Sequence, residues 1–149
     1  MTSLSAKIPR IFVDSSVLFS GSYSSKGHSR DLILLAIRGA IILVVSQVVL
    51  AETRRNLAEC KVELVALLDV IEANTPFEVI QVTRTEVLSA ANYVVLKDAP
   101  IAAAAKKGKV DLLVTLDRKH LLENPDIASY IGIRIVTPKE AFELIKNRI

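Results

Sequence analysis

Four acidic residues stand where an apolar run ends or a helix begins. Asp14 closes "PRIFVD", Glu52 ends "VSQVVLAE", Asp98 heads "DAPIAAAA" and Asp117 follows "VDLLVTL". Asp14 is the most demanding of them. Ile11, Phe12 and Val13 read as a strand buried on both faces, and Val17, Leu18 and Phe19 resume the apolar run beyond it. A buried, unpaired carboxylate costs roughly several kcal/mol, so positive charge is expected beside it. Four acids converging on one rim would repel one another unless compensated. An oxygen-only cluster of this kind suits a hard cation, Mg²⁺ or Mn²⁺, which keeps several waters and needs few carboxylates.

Each acid also has a plainer reading. Asp14 and Asp117 fit turn positions after strands. Glu52 can pair with Arg55 or Asn56 along its helix, and Asp98 satisfies the rule for a helix N-cap.

The elements that must position these acids follow from periodicity and punctuation. "AIILVV", "FEVIQV", "VDLLVTL" and "IRIVT" join "IFV" as strands. Between them lie helical stretches. "RDLILLAIRG" has Ser29 as its expected cap and Gly39 as its stop, and a polar loop, "SGSYSSKGHS", precedes it. "QVVLAETRRNLAEC" is capped by Ser46 and followed by the helical "KVELVALLDVIEAN". "RTEVLSAANYVVL" is expected to run as one helix capped at Thr85. The Ala-rich "DAPIAAAAKKG" carries Pro100 in its first turn and Gly108 as its stop. Thr137-Pro138-Lys139-Glu140 spells a capping box that opens the last helix. Alternating strands and helices imply α/β architecture: a three-layer sandwich with a central parallel sheet of about five strands flanked by helices. Such folds bind ligands at the carboxyl ends of their strands. Asp111, ahead of the fourth strand, falls at the opposite end and reads as structural.

Bulk properties narrow the function class. The 149 residues, 51% apolar and 23% charged, suit one domain over residues 1–149, with a flexible tail over 1–8. A net charge of +3 tilts weakly toward an anionic partner. One cysteine, Cys60, allows no disulfide within a monomer, and with two histidines it builds no recognisable zinc site. Without a signal-peptide stretch or a run of about 20 apolar residues, the expectation is a soluble, cytoplasmic protein with no membrane partner. No GxGxxG or Walker loop is present, so no nucleotide cofactor is expected.

Together the segments "IFVDSSVL", "VSQVVLAE", "KDAPIAAAAKKGKVDLLVTLDRKHL" and "IVTPKEAFELI" resemble the PIN domain, a family of small metal-dependent ribonucleases that includes the toxin halves of VapBC-type toxin–antitoxin pairs. The resemblance spans nearly the whole chain. The family's first acid falls on Asp14, with a small polar residue two places on at Ser16. Its helical glutamate falls on Glu52, its third acid on Asp98, and its fourth on Asp117, preceded by Thr115. In one departure, Asp98 is the only acid of its segment, where many members carry a neighbouring one.

The resemblance implies hydrolysis of RNA phosphodiester bonds, with a toxin role and an antitoxin partner as further expectations. A Mg²⁺ or Mn²⁺ ion would neutralise phosphate oxygens and lower the pKa of a bound water. Asp14, Asp98 and Asp117 would hold the metal. Glu52 would act as a water-bridged ligand or as a base orienting the nucleophile. Ser16 and Thr115 would hydrogen-bond carboxylates or metal waters. Arg54, Arg55, Arg118 and Lys119 adjoin the site and are expected at phosphates, with Lys26, His28 and Arg30 flanking a loop suited to strand entry. A homodimer is expected from the high aliphatic content and from the habit of the family.

Rival chemistry fits less well. A haloacid-dehalogenase phosphatase needs a second Asp where Ser16 stands, and a receiver-type phospho-acceptor needs paired acids at the first strand. The alternative from another class is a PIN-like RNA- or protein-binding module with weak catalysis.

Overall fold

The structure, a computed structural model, describes residues 7–146. Of the tail expected over residues 1–8, residues 1–6 lie outside the described residues; Lys7 and Ile8 are exposed. Five strands form one parallel sheet: β1 (Arg10–Val13), β2 (Ile42–Ser46), β3 (Glu78–Ile80), β4 (Leu112–Val114) and β5 (Arg134–Val136), in the spatial order β3-β2-β1-β4-β5. Eight α-helices among the described residues cover it: α1 (Ser15–Tyr23), α2 (His28–Ile37), α3 (Gln47–Cys60), α4 (Val65–Asn74), α5 (Arg84–Ala90), α6 (Ala99–Lys107), α7 (Pro125–Ile131) and α8 (Pro138–Lys146).

The sheet is hydrophobic on both faces because helices cover both. Ile11, Phe12, Leu43, Val44, Val45, Leu113 and Val114 are all fully buried. The chain winds outward from β1 through β2 to β3, then crosses back to β4 on the other side of β1. That reversal makes a crevice at the carboxyl ends of β1 and β4, the place where open α/β sheets take ligands. At the opposite end the Asp111 carboxylate accepts the Arg10 backbone N–H at 2.8 Å, the structural role expected of it.

Local chemistry departs from expectation at four places. The residues after Asp14 are helical: Asp14 is the N-cap of α1, and Ser15–Tyr23 form the helix. Val17 and Leu18 are buried there, so the apolar run changes period instead of resuming a strand. Helix α2 starts at His28 with Gly27, at φ 103°, in the cap position, so Ser29 lies inside the helix and caps nothing. Thr83, not Thr85, caps α5, in a reciprocal box with Glu86. That helix stops at Ala90, leaving Tyr93, Val95 and Leu96 exposed. Finally, Asp98 ends a short 3₁₀ turn (Leu96–Asp98), and its side chain makes no capping hydrogen bond to α6.

The remaining punctuation agrees with the structure. Ser46 caps α3 through Val49 N–H. Gly39, at φ 80°, follows the last turn of α2 in the left-handed conformation that glycine tolerates. Thr137 and Glu140 form their box at the start of α8. No described helix is long and apolar enough to cross a membrane.

Candidate active site

The crevice between β1 and β4 continues into a cleft of about 270 Å³ lined by Asp14, Glu52, Asp98 and Asp117, with Ser15 and Lys97 among the other lining residues. Four separate elements deliver the acids: the end of β1, the second turn of α3, the 3₁₀ turn before α6, and the loop after β4. Small residues set the approach of α6. Ala99, Ala102, Ala103, Ala104 and Ala105 are buried, and side chains that end at Cβ let the helix lie close to the sheet and to α5 and α7. Its N-terminal end thereby brings Asp98, itself only 8% exposed, to the cleft.

Asp14 is built in from every side. Its Oδ1 accepts from the Ser16 hydroxyl at 2.6 Å and from the Val17 N–H at 3.2 Å. Its Oδ2 accepts from the Thr115 hydroxyl at 2.5 Å. Both hydroxyls act twice. The Ser16 oxygen takes the Leu116 N–H at 3.0 Å, and the Thr115 oxygen takes the Asp117 N–H at 2.9 Å. The loop that carries Asp117 is thus tied to the loop that carries Asp14. Burial pushes the Asp14 carboxyl above the usual carboxylate range. The bonds from Ser16, Thr115 and Val17 pull the other way, while the nearby negative charge of Asp117 adds to the rise.

Glu52 accepts from the Ser15 hydroxyl at 2.5 Å through Oε1, so the helical reading in which it pairs with Arg55 or Asn56 gives way to a bond across to α1. Asp117 caps the turn Arg118–Leu122, a π-helical turn, accepting the His120 N–H at 3.0 Å, with the His120 ring 3.3 Å from its other oxygen. π-turns of this kind recur at functional sites.

The donor set fits a hard divalent cation. All four groups are carboxylates, each keeps acceptor capacity beyond the bonds described, and Asp98 makes no capping bond that would occupy it. Among the described residues no three acidic, His or Cys side chains are drawn into a preformed cage. Hard divalent cations such as Mg²⁺ or Mn²⁺ are often held by one or two carboxylates with waters completing the shell.

The basic residues divide. The Arg54 guanidinium, expected at phosphates, is committed to α4 instead, donating to Asp69 at 2.8 Å and to Glu72 at 2.7 Å. Arg55 and Lys119 are exposed, and Arg118 is 3.7 Å from Glu123 at the surface. His28 pairs with Asp31 and packs its ring, tilted, against Phe142, and Arg30 donates to the Gly21 carbonyl.

Two cleft residues carry no clear signal in the sequence. Ser15 is presented by a helix that its own residues do not announce. Lys97 lines the cleft from the position directly before Asp98, and adjacency to an expected ligand is the signal that could have found it.

The PIN domain family pattern matches residues 11–125. Among solved structures, PAE2754 from Pyrobaculum aerophilum superposes with a TM-score of 0.64 at 19% identity, covering 93% of this chain and 90% of that one. VapBC2 from Rickettsia felis, bound to a DNA fragment from its promoter, gives a TM-score of 0.63 at 15% identity, covering 86% of this chain and 98% of that one. At these identities the likeness is one of fold. No curated protein matches the sequence.

Proposed function

The chain belongs to the PIN domain family, whose members are generally nucleases, and on that premise we propose that it is a divalent-metal-dependent endoribonuclease of the cytoplasm, the toxin component of a toxin–antitoxin pair, acting as a homodimer. The observation that carries this reading is the convergence of Asp14, Glu52, Asp98 and Asp117 on one cleft at the switch point of the sheet. A binding surface for a polyanion has no use for four carboxylates unless a cation bridges them to it.

Asp14, Asp98 and Asp117 would hold Mg²⁺ or Mn²⁺, which when bound neutralises phosphate oxygens and lowers the pKa of a coordinated water. The residues of the chain supply the rest. Ser16 and Thr115 fix both oxygens of Asp14, so its free lone pairs keep one direction. Ser15 anchors Oε1 of Glu52, leaving Oε2 to accept a hydrogen bond from the attacking water and, during attack, its proton. Arg118 and Lys119, on the turn after Asp117, would meet flanking phosphates.

The test is cleavage of single-stranded RNA by the purified protein with Mn²⁺ or Mg²⁺ and with a chelator. Activity that needs the metal and disappears in Asp14→Ala, Asp98→Ala and Asp117→Ala is expected. RNA that is bound but left intact across divalent metals would leave an RNA- or protein-binding module in place of the enzyme.

A further inference from the structure

A second cavity lies on the helix that brings Asp98 to the cleft, at its other end. Helix α6 runs from Ala99 to Lys107, and at 1.5 Å per residue Lys106 stands about 10 Å further along the axis than Ala99. There the Lys106 ammonium sits 4.3 Å from the centre of the Tyr130 ring and donates to the Tyr130 carbonyl at 3.1 Å. Tyr130 in turn stacks on Tyr93, with ring centres 5.3 Å apart and planes 25° from parallel. Ser89, Asp126 and Ser129 complete an open cavity of about 590 Å³ around them.

Nothing in the cleft's chemistry uses this place. Tyr130 is half-buried against the core, but core packing does not account for Tyr93, which is 65% exposed. An exposed tyrosine stacked on a half-buried one, beside a lysine, has the makings of a platform for a nucleobase. Every base has a π-face, the ammonium attracts the neighbouring phosphate, and hydroxyl and carboxylate groups can meet the polar edge of the base. A protein partner would centre on the exposed Val95 and Leu96 further along the segment, whereas the rings themselves have a polar surround. Here Ser89, Asp126, Ser129 and Lys106 surround the rings.

The platform and the cleft are joined by one short segment. Tyr93 and Lys97 are four residues apart, a separation of at most about 14 Å even for a fully extended chain. Lys97 lines the acidic cleft yet takes part in none of the ion pairs among the described residues.

We infer that single-stranded RNA follows this segment out of the cleft, with Lys97 on a phosphate beside the scissile bond and a flanking base stacked on the Tyr93–Tyr130 pair. The inference rests on the reading of the cleft as a ribonuclease centre and adds the subsite that favours longer single strands.

The experiment compares KM for two oligonucleotides of the same base, one of about three and one of about twelve nucleotides, the shorter falling below common single-strand site sizes. In the intact protein the longer strand should have the lower KM. In Tyr93→Ala that advantage should shrink roughly five- to hundredfold, and Tyr93→Phe should restore it. The chain has three tyrosines and no tryptophan, so tyrosine fluorescence gives a second readout. The longer strand should quench it in the intact protein and much less in Tyr93→Ala.

An unchanged ratio of the two KM values, whether or not both rise, overturns the platform. So does a change in molecular mass in Tyr93→Ala with RNA kinetics intact, which would make the surface a protein interface. If the intact protein binds and is quenched by the longer strand but cleaves nothing with any divalent metal, the ribonuclease reading falls and the platform stands. If it cleaves both strands and Tyr93→Ala matches it, the reverse holds.

Discussion

Thr115, on the exit of β4, holds Asp14, on the exit of β1, by donating its hydroxyl to Asp14 Oδ2 at 2.5 Å while the same oxygen takes the Asp117 N–H at 2.9 Å. One fully buried side chain therefore fixes an acid on the neighbouring strand and the backbone of a second acid two residues on. It couples the two sides of the switch point just beyond the paired residues of β1 and β4, where the Asp14 N–H also donates to the Val114 carbonyl at 3.3 Å.

Thr115→Val keeps the shape and removes both bonds. It leaves a buried carboxylate with one fewer donor and strands the Asp117 N–H, a loss of about 1–3 kcal/mol. Urea unfolding should show that destabilisation, and RNA cleavage by the folded variant should fall beyond what stability explains, because both acids lose their aim. Thr115→Ser should recover most of each. Cleavage equal to that of the unmutated protein would mean that Thr115 serves the fold alone.

The strands are legible because each is a short apolar run bounded by polar punctuation. Helix α1 is not. Its sequence "SSVLFSGSY" is rich in serine and carries a glycine, all weak helix formers. What makes it a helix is tertiary: Asp14 caps it, and Val17, Leu18 and Gly21 are buried, with Gly21 close against Ser29 and Ile33 of α2. The acids are readable from strand-end placement. Ser15 and Lys97 are hidden, because a hydroxyl or ammonium beside an acid looks like any surface residue until the backbone gives it a direction. The cap of α5 lies two residues from its expected place, since Thr83 and Thr85 both precede plausible helix starts and only the reach of Glu86 decides between them.

Asp14 gives a pH signature. Its folded pKa is raised above the ordinary value of 3.8, chiefly by burial, so the folded state binds this proton more tightly than the unfolded chain. The stability it confers is full below the ordinary value and is lost as pH rises through the raised folded value. Glu78, Glu86, Glu140 and Glu143 are lowered and act with the opposite sign, losing their contribution as pH falls below 4.5. The difference between the intact protein and Asp14→Asn isolates the first effect. In metal-free buffer the Asn variant should melt higher at neutral pH, and its advantage should vanish toward pH 4. A constant difference across that range would contradict the burial of a charge.

Cation should reverse that order. A metal bound only to the folded state adds about 2.7 kcal/mol at a hundredfold excess over its dissociation constant. Millimolar Mn²⁺ should therefore raise the melting temperature of the intact protein and leave Asp14→Asn nearly unmoved. Identical melting curves with and without Mn²⁺ in the intact protein would count against a metal in this cleft.

Assembly has its own test. Val62, 69% exposed, and Val70, 60% exposed, lie on the turn before α4 and on α4 itself, more aliphatic surface than one solvated helix needs. A second copy of the chain is the expected cover. Light scattering should give twice 16.3 kDa, and Val62→Lys combined with Val70→Glu should return the mass to that of one chain. A monomer in the intact protein at micromolar concentration would remove the dimer and leave the cleft chemistry untouched.

The last prediction separates two arginines that look alike in the sequence. Arg54 bridges Asp69 and Glu72, tying α3 to α4, and these partners hold its guanidinium above the ordinary arginine value. With its side chain 42% exposed, the bridge is screened by solvent and contributes no more than about 1 kcal/mol. Arg54→Ala should therefore lower stability slightly and leave RNA affinity as it was. Arg118 starts the turn capped by Asp117 and lies only within 3.7 Å of Glu123, with its side chain 70% exposed. A side chain so little committed is free to meet a phosphate. Removing one cationic partner from a phosphate of a single strand reduces the dependence of log K on log salt by about 0.7. Arg118→Ala should show that reduction and weaker binding at every RNA sequence, while Arg54→Ala should keep the intact slope. A reduced slope in Arg54→Ala would mean that Asp69 and Glu72 release the guanidinium when RNA arrives. An unchanged slope in Arg118→Ala would place the RNA backbone away from the turn after Asp117.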